Sequence, residues 1–167
     1  ESMRYDCIII GSGPAGLSAA INLKTYNKNF LWFGNAQMSE KVQKAEKVVN
    51  YPGLSELTGQ ELAKAFVDHK DSQGLEIVDK IVSSIYDMGG YYTVMAENEF
   101  FETESIIMAT GVVVANQYPG EAEFVGRGVS YCATCDGALY KGKTIAVVST
   151  AKRFEHEVEF LADLAEK

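Results

Sequence analysis

Two short runs in the chain combine residue types and spacings that do chemistry. The first is Cys132-Ala-Thr-Cys135-Asp136-Gly137, whose two thiols stand close enough to join as a disulfide without rearrangement of the chain. A thiolate of lowered pKa at such a place attacks the disulfide of a partner, and the second thiol then resolves the mixed disulfide. The second run is Gly11-Ser12-Gly13-Pro14-Ala15-Gly16, a G-x-G-x-x-G turn. Between a buried strand and a helix, such a turn holds the pyrophosphate of a dinucleotide. The first glycine makes the tight turn, the second admits the ligand to the backbone, and the third lets helix and strand close together, while the helix N-terminus supplies N–H donors and the positive end of its dipole.

Each run also has a plainer reading. A glycine-rich turn can exist without a ligand, and two neighbouring cysteines can be unreactive core or part of a zinc site. Zinc would normally need two more ligands, and only Cys7, His69 and His156 remain. Asp136, adjacent to the pair, is suited to donate and accept the proton that thiolate chemistry moves; its plain role would be to cap the following turn. Cys7 reads as inert core, His69 as a structural residue on or beside an apolar helix face, His156 as a solvated residue of an acidic helix, and Trp32 as core. A ribose-binding carboxylate is expected ~20 residues beyond the glycine turn. The chain has Phe33-Gly34-Asn35 there, with no acid.

The elements that must position these residues follow from hydrophobic pattern. Tyr5–Ile10 is a short, β-branched apolar run of the kind that forms a strand buried on both faces. It enters the glycine turn directly. Leu17, Ala20, Ile21 and Leu23 then recur at helical spacing until Asn27 and Asn29 break the pattern, and Phe30–Phe33 supplies a second strand, completing a βαβ unit. A polar stretch from Ala36 ends at the turn Asn50-Tyr-Pro-Gly53. Thr58 and Glu61 have capping-box spacing for a helix that buries Leu62, Ala65, Phe66 and His69 and closes at Gly74. Strands are expected at 75–78, 81–86, 91–96, near Phe100-Phe101 and at 105–109, with Gly89-Gly90 as a hairpin turn. A domain boundary falls near residues 112 to 117, dividing 1–113 from 114–167. Beyond it lie the cysteine pair, a strand at 144–148, and a helix from about Lys152 with Phe154, Val158, Leu161 and Leu164 or Ala165 inward.

Composition narrows the function classes. The chain has 167 residues, 47% of them hydrophobic and 23% charged, a balance that can bury a core. A formal net charge of −8 argues against nucleic-acid or anionic-membrane binding by the chain as a whole. No apolar run approaches the ~20 residues that span a bilayer, and no leader pattern is visible, so a cytoplasmic setting is expected. Three cysteines are too few and too unevenly placed for a disulfide scaffold. Glu1 and Ser2, ahead of Met3, read as a cloning remnant.

Taken in order, Gly11–Gly16, Asn50-Tyr-Pro-Gly53, Ala109-Thr110-Gly111 and Gly128-Val-Ser-Tyr-Cys-Ala-Thr-Cys-Asp-Gly137 closely resemble the low-molecular-weight thioredoxin reductases. The resemblance covers nearly the whole chain. It implies a flavoprotein of α/β class: a Rossmann-like FAD-binding domain of three-layer ββα form with an antiparallel meander, and the start of a second Rossmann-like domain that carries the dithiol. It further implies that Cys135 faces the flavin, that Cys132 attacks thioredoxin, and that Asp136 donates the proton. FAD would be held by Gly11, Ser12, Gly13, Pro14, Ala15, Gly16, Gly34, Asn35, Lys41, Asn50, Thr110 and Gly111. The full-length protein is expected to be a homodimer, with this chain its N-terminal part.

One departure from the pattern bears on the electron donor. Where the family's second domain has a glycine-rich turn for NADPH, this chain has Val147-Val-Ser-Thr-Ala-Lys-Arg-Phe154, with a Cβ at every position to obstruct close approach of a pyrophosphate. In this it is similar to the ferredoxin-dependent flavin thioredoxin reductases. Ferredoxin is then the expected donor, passing electrons through FAD to the dithiol and on to thioredoxin. The Lys41, Lys44, Lys47 group, or Lys141, Lys143, Lys152 and Arg153, are candidate docking cations for an acidic carrier. Competing readings are a conventional NADPH-dependent enzyme and a non-catalytic flavin-binding redox sensor.

Overall fold

The computed structural model describes residues 3–111 and 117–167, so Glu1, Ser2 and the expected 113/114 boundary lie outside the described residues. Strand β1 (Cys7–Ile10), helix α1 (Pro14–Thr25), strand β2 (Phe30–Phe33) and the short helix α2 (Glu40–Gln43) come first. Helix α3 (Gly59–Ser72) and strands β3 (Val82–Asp87), β4 (Tyr92–Ala96), β5 (Glu99–Thr103) and β6 (Ile106–Met108) follow. The remaining helices are α4 (Glu121–Phe124), α5 (Ala133–Asp136) and α6 (Glu155–Leu164). The chain divides into two compact units, Glu1–Val42 with Ala63–Ala115 and Gln43–Leu62 with Asn116–Lys167. Residues 43–62 thus group with the cysteine segment rather than with the rest of 1–113.

The first unit is built on β1, which is central in its sheet and covered on both faces, so that all four of its positions are buried. It lies parallel between β2 and β6 in the order β2-β1-β6, with Ile10 opposite both Phe33 and Met108. On one face Ile8, Ile10 and Phe33 form a core with Val94 and Ala96 of the antiparallel meander β3-β4-β5, and the Phe101 ring meets Phe33 edge-on at 5.2 Å. Helix α1 packs on the same three parallel strands, burying Leu17 and Ala20. Alternation along the strands turns Cys7, Ile9 and Trp32 to the face opposite the meander. Meander, parallel sheet and helix give the expected three-layer α/β arrangement.

The helix boundaries follow local chemistry. Asn27 takes a left-handed conformation at φ 54°, and the bonds Lys28 N–H to Leu23 and Asn27 N–H to Lys24 close α1 where the apolar pattern stops. At α3 both capping-box bonds form, Thr58 N–H to Glu61 Oε2 at 2.8 Å and Glu61 N–H to Thr58 Oγ1 at 3.2 Å. Its far end closes at Gly74, where Leu75 N–H reaches Lys70 and Gly74 N–H reaches Asp71. The buried stripe of α3 is Leu62, Ala63 and Phe66; His69 is exposed rather than structural core.

Two expected strands are absent from the described residues. Residues 75–78 meet β2 only at Val78, which bridges Phe33 in parallel, so one residue pairs where four were expected. Residues 144–148 form no strand, and Val147 and Val148 are 42% and 65% exposed. A strand needs hydrogen-bonding neighbours along its length. Among the described residues its backbone bonds run to 166–167, through Ile145 N–H to Lys167 and Glu166 N–H to Lys143.

In the second unit, residues 48–57 form a narrow antiparallel turn through the bridges Val48 to Leu57 and Tyr51 to Leu54. Helix α6 half-buries Val158, Leu161, Leu164 and the adjoining Ala165, as its pattern predicts. It packs on the end of α5, where a Cβ at Gly137 would lie 3.2 Å from Leu161 and from Phe160. No helix among the described residues is long and apolar enough to cross a membrane. Substituting Thr58→Ala removes the α3 cap and should cost about 1 kcal/mol, read as a lower urea midpoint with unchanged slope.

Candidate active site

The glycine turn is shaped by backbone crowding. Gly11 has φ +116°, and a Cβ there would stand 2.0 Å from the Ala109 carbonyl oxygen at the end of β6. A Cβ at Gly16 would stand 2.0 Å from the Gly11 carbonyl oxygen, which also accepts the Trp32 indole N–H at 2.8 Å. Gly34 is closed in the same way by Ser12, whose Oγ accepts the Asn35 N–H at 2.8 Å. These contacts and the Ala109 N–H to Ile10 bond gather Gly11–Gly16, Gly34, Asn35, Thr110 and Gly111 at the carboxyl ends of the parallel strands, where open α/β sheets bind ligands.

Gly13 differs from its neighbours. Its Cβ would meet nothing nearer than Ser39 Cβ at 3.9 Å, so no protein atom requires a glycine there. Gly13 caps α1 with no side-chain hydrogen bond, Pro14 opens the helix, and no acidic residue lies in its first turn. The first N–H groups of a helix lack intrahelical acceptors and favour an anion. Open space over that helix end fits a pyrophosphate. Lys41 is exposed on α2.

The second unit holds the cysteine pair. Cys132 and Cys135 are joined as a disulfide, which engages both sulfurs with each other rather than with a metal. Cys132 caps α5, its Sγ accepting the Cys135 N–H at 3.2 Å. Ser130 Oγ accepts the Cys132 N–H at 3.1 Å and donates to Asp136 Oδ2 at 2.5 Å. Asn50 belongs to this unit and donates from Nδ2 to the Thr134 carbonyl at 3.3 Å, so its side chain braces the dithiol turn. Among the described residues, no group of three or more His, Cys, Asp or Glu is gathered to hold a metal. Cys7 is buried in β1, and burial pushes its thiol up, which keeps it protonated.

Some contributors carry no mark in the sequence. Trp32 is core, as expected, but its indole also anchors the glycine turn. Glu121 accepts the Tyr131 hydroxyl on one carboxylate oxygen and the Tyr118 N–H on the other, tying the residue before Cys132 to α4. The Tyr131 hydroxyl, then the Tyr118 N–H, hold the Glu121 carboxyl below the usual carboxylate range; the Glu121 bond, then burial, raise Tyr131. No spacing rule would have paired Glu121 with Tyr131.

A G-x-G-x-x-G turn at the carboxyl ends of a parallel sheet and a Cys-x-x-Cys disulfide are features of dinucleotide-binding oxidoreductases. Residues 5–149 match the pyridine nucleotide-disulphide oxidoreductases, and the chain belongs to that family. Members of the family are FAD proteins, and the open cradle at Gly13 fits that cofactor's pyrophosphate. The chain is 35% identical to the thioredoxin reductase of Bacillus subtilis over 100% of its own length and 53% of that protein's. Among solved structures it is similar to thioredoxin reductase of Streptococcus pyogenes, with TM-score 0.83 and 32% identity over 100% of this chain and 55% of that one. It is also similar to a ferredoxin-flavin thioredoxin reductase of Clostridium acetobutylicum, with TM-score 0.66 and 45% identity over 98% of this chain and 57% of that one. The chain spans about half the length of the curated relatives it matches.

Two outcomes are expected from this geometry. Gly13→Ala should cost no more than about 1 kcal/mol, the loss of a favoured N-cap residue, yet weaken FAD binding at least tenfold, whereas Gly16→Ala should cost on the order of 3 kcal/mol. Thermal melts and flavin fluorescence titration read both. The Glu121–Tyr131 bond contributes stability above the ordinary carboxylate pKa that is lost as pH falls through the depressed Glu121 value. The raised Tyr131 gives the reverse at high pH, its contribution lost as pH rises through the raised value. Tyr131→Phe should therefore bring the Glu121 titration up toward the ordinary range, measured by carboxyl NMR.

Proposed function

We propose that the full-length protein carrying this chain is a flavin-dependent thioredoxin-disulfide reductase that passes electrons to the Cys132–Cys135 pair and on to thioredoxin. The observation that supports this most directly is the disulfide at the head of α5 with the Asp136 carboxylate held beside it by Ser130. Gly11–Gly16, Gly34, Asn35, Lys41, Thr110 and Gly111 would hold FAD, which supplies a group that accepts electrons singly and delivers them as a pair. Residues 1–113 form the N-terminal part of the FAD domain and 114–167 the start of the dithiol domain, in a homodimer.

In the reducing half, the Cys132 thiolate attacks the thioredoxin disulfide, one thioredoxin sulfur leaves and takes a proton, and a mixed disulfide remains. The Cys135 thiolate then attacks Cys132, closing the Cys132–Cys135 disulfide and releasing the second thioredoxin sulfur, so that two electrons leave the protein. Asp136 exchanges the proton that each sulfur gains or loses.

The proposed donor is ferredoxin. The support is the glycine-free stretch 147–154, which in the structure turns through a short 3₁₀ segment, Lys152–Phe154, with a Cβ at every position. The relative from Clostridium acetobutylicum, 45% identical, is a ferredoxin-flavin enzyme. Of the candidate docking cations, Lys47 pairs with Glu56, while Lys143 and Arg153 lie over the Tyr140 and Phe154 rings. The family's name favours a second reading, NADPH as donor. An anaerobic titration of the full-length protein separates them: reduced ferredoxin should bleach the flavin and yield reduced thioredoxin, and NADPH should do neither. Bleaching by NADPH at a comparable rate would establish the second reading. Reduced flavin that never passes electrons to thioredoxin would establish a redox sensor instead.

A further inference from the structure

Asp136 is the residue whose surroundings the chemistry so far leaves unexplained. Its Oδ2 is engaged by Ser130, while Oδ1 is buried and is the one buried side-chain oxygen or nitrogen among the described residues without a hydrogen-bond partner. Leaving a buried carboxylate oxygen unpaired is costly. A functional reason for such an atom is that it must stay free to carry a proton. The same Ser130 oxygen that donates to Oδ2 accepts the Cys132 N–H, so one exposed hydroxyl ties the capping cysteine to the carboxylate. Accepting that N–H polarises the hydroxyl and strengthens its bond to the carboxylate.

We propose that Ser130 is a positioning residue for proton exchange at the dithiol: by holding Cys132 N–H and Asp136 Oδ2 together, it leaves Oδ1 as the oxygen that gives and takes the sulfur's proton. This rests on the reading of Asp136 as proton donor. In exchange with a dithiol reductant, a thiolate of the reductant attacks one sulfur of the Cys132–Cys135 disulfide and the S–S bond breaks. The departing sulfur takes a proton from Asp136, which is replenished from solvent. The second thiol of the reductant then attacks the mixed disulfide, its disulfide forms, the second cysteine sulfur leaves and is protonated, and two electrons and two protons have reached the protein. Asp136 follows the two cysteines in sequence and acts by its charge on Tyr140, whose hydroxyl is raised by burial and then by the charges of Asp136 and Glu46. From α6 the neighbours of the adjoining Gly137 are the apolar Phe160, Leu161 and Leu164.

The test is the rate at which dithiothreitol reduces the disulfide in the full-length FAD-loaded protein, counted as alkylated thiols by mass and measured in water and in deuterium oxide. Ser130→Ala should slow reduction about tenfold and raise the solvent isotope effect, and Ser130→Thr, which keeps the hydroxyl at an exposed position, should restore both. On an Asp136→Asn background Ser130→Ala should change the rate less than about twofold, because its effect runs through the carboxylate. Equal slowing on both backgrounds, or no rescue by Ser130→Thr, would overturn the proposal while leaving Asp136 as the proton donor. An Asp136→Asn protein that reduces at the normal rate with a normal isotope effect would overturn that reading and the proposal with it.

Discussion

The glycine turn depends on backbone atoms approaching closer than any side chain permits. The carbonyl of Ala109 stands where a Cβ of Gly11 would be, and the carbonyl of Gly11 stands where a Cβ of Gly16 would be. Those two exclusions draw β6 onto the end of β1 and lower α1 onto the sheet, and the Trp32 indole holds the Gly11 carbonyl from the remaining side. The strand ends, the helix N-terminus and the turn thereby converge, which is what an anion-binding cradle consists of. Gly13, whose Cβ would meet nothing nearer than Ser39 Cβ at 3.9 Å, is the position where the same device faces open space instead of the protein.

The cysteine turn solves a different problem with the same economy of atoms. A four-residue helix cannot be stable on its own. It is held at its start by the Cys132 cap and the disulfide, at its end by the apolar face of α6 against Gly137, and along its side by Asn50. The bond between Glu121 and Tyr131 secures the approach to Cys132. The contacts made by α6, Asn50 and the Glu121–Tyr131 pair do not involve the S–S bond itself, so they can hold the turn in either state of the two sulfurs.

Much of this was legible from pattern alone, and the reasons are local. The buried run Cys7–Ile10, the turn at Gly11–Gly16, the capping box at Thr58 and Glu61 and the closing Gly74 are each decided by residues within a few positions of one another. The failures share the opposite trait. Residues 144–148 have the β-branched composition of a strand but no parallel neighbour among the described residues, and 75–78 find a partner there at Val78 alone. His69 falls at the margin of an apolar helix face, and only the position of the neighbouring layer decides that it is exposed.

The sequence by itself determined the chemistry on offer: two thiols and a carboxylate in one turn, and glycines where a dinucleotide needs backbone without side chains, because residue type and spacing set what reacts and what fits. Only the tertiary structure decided which glycine is left open, which Asp136 oxygen is engaged, that Asn50 braces the dithiol turn, and that Trp32 serves the glycine turn as well as the core. The hydrogen bonds among them join residues 6 to 84 positions apart, and at the longer separations no local rule says which atoms will meet until the sheet and helices have closed.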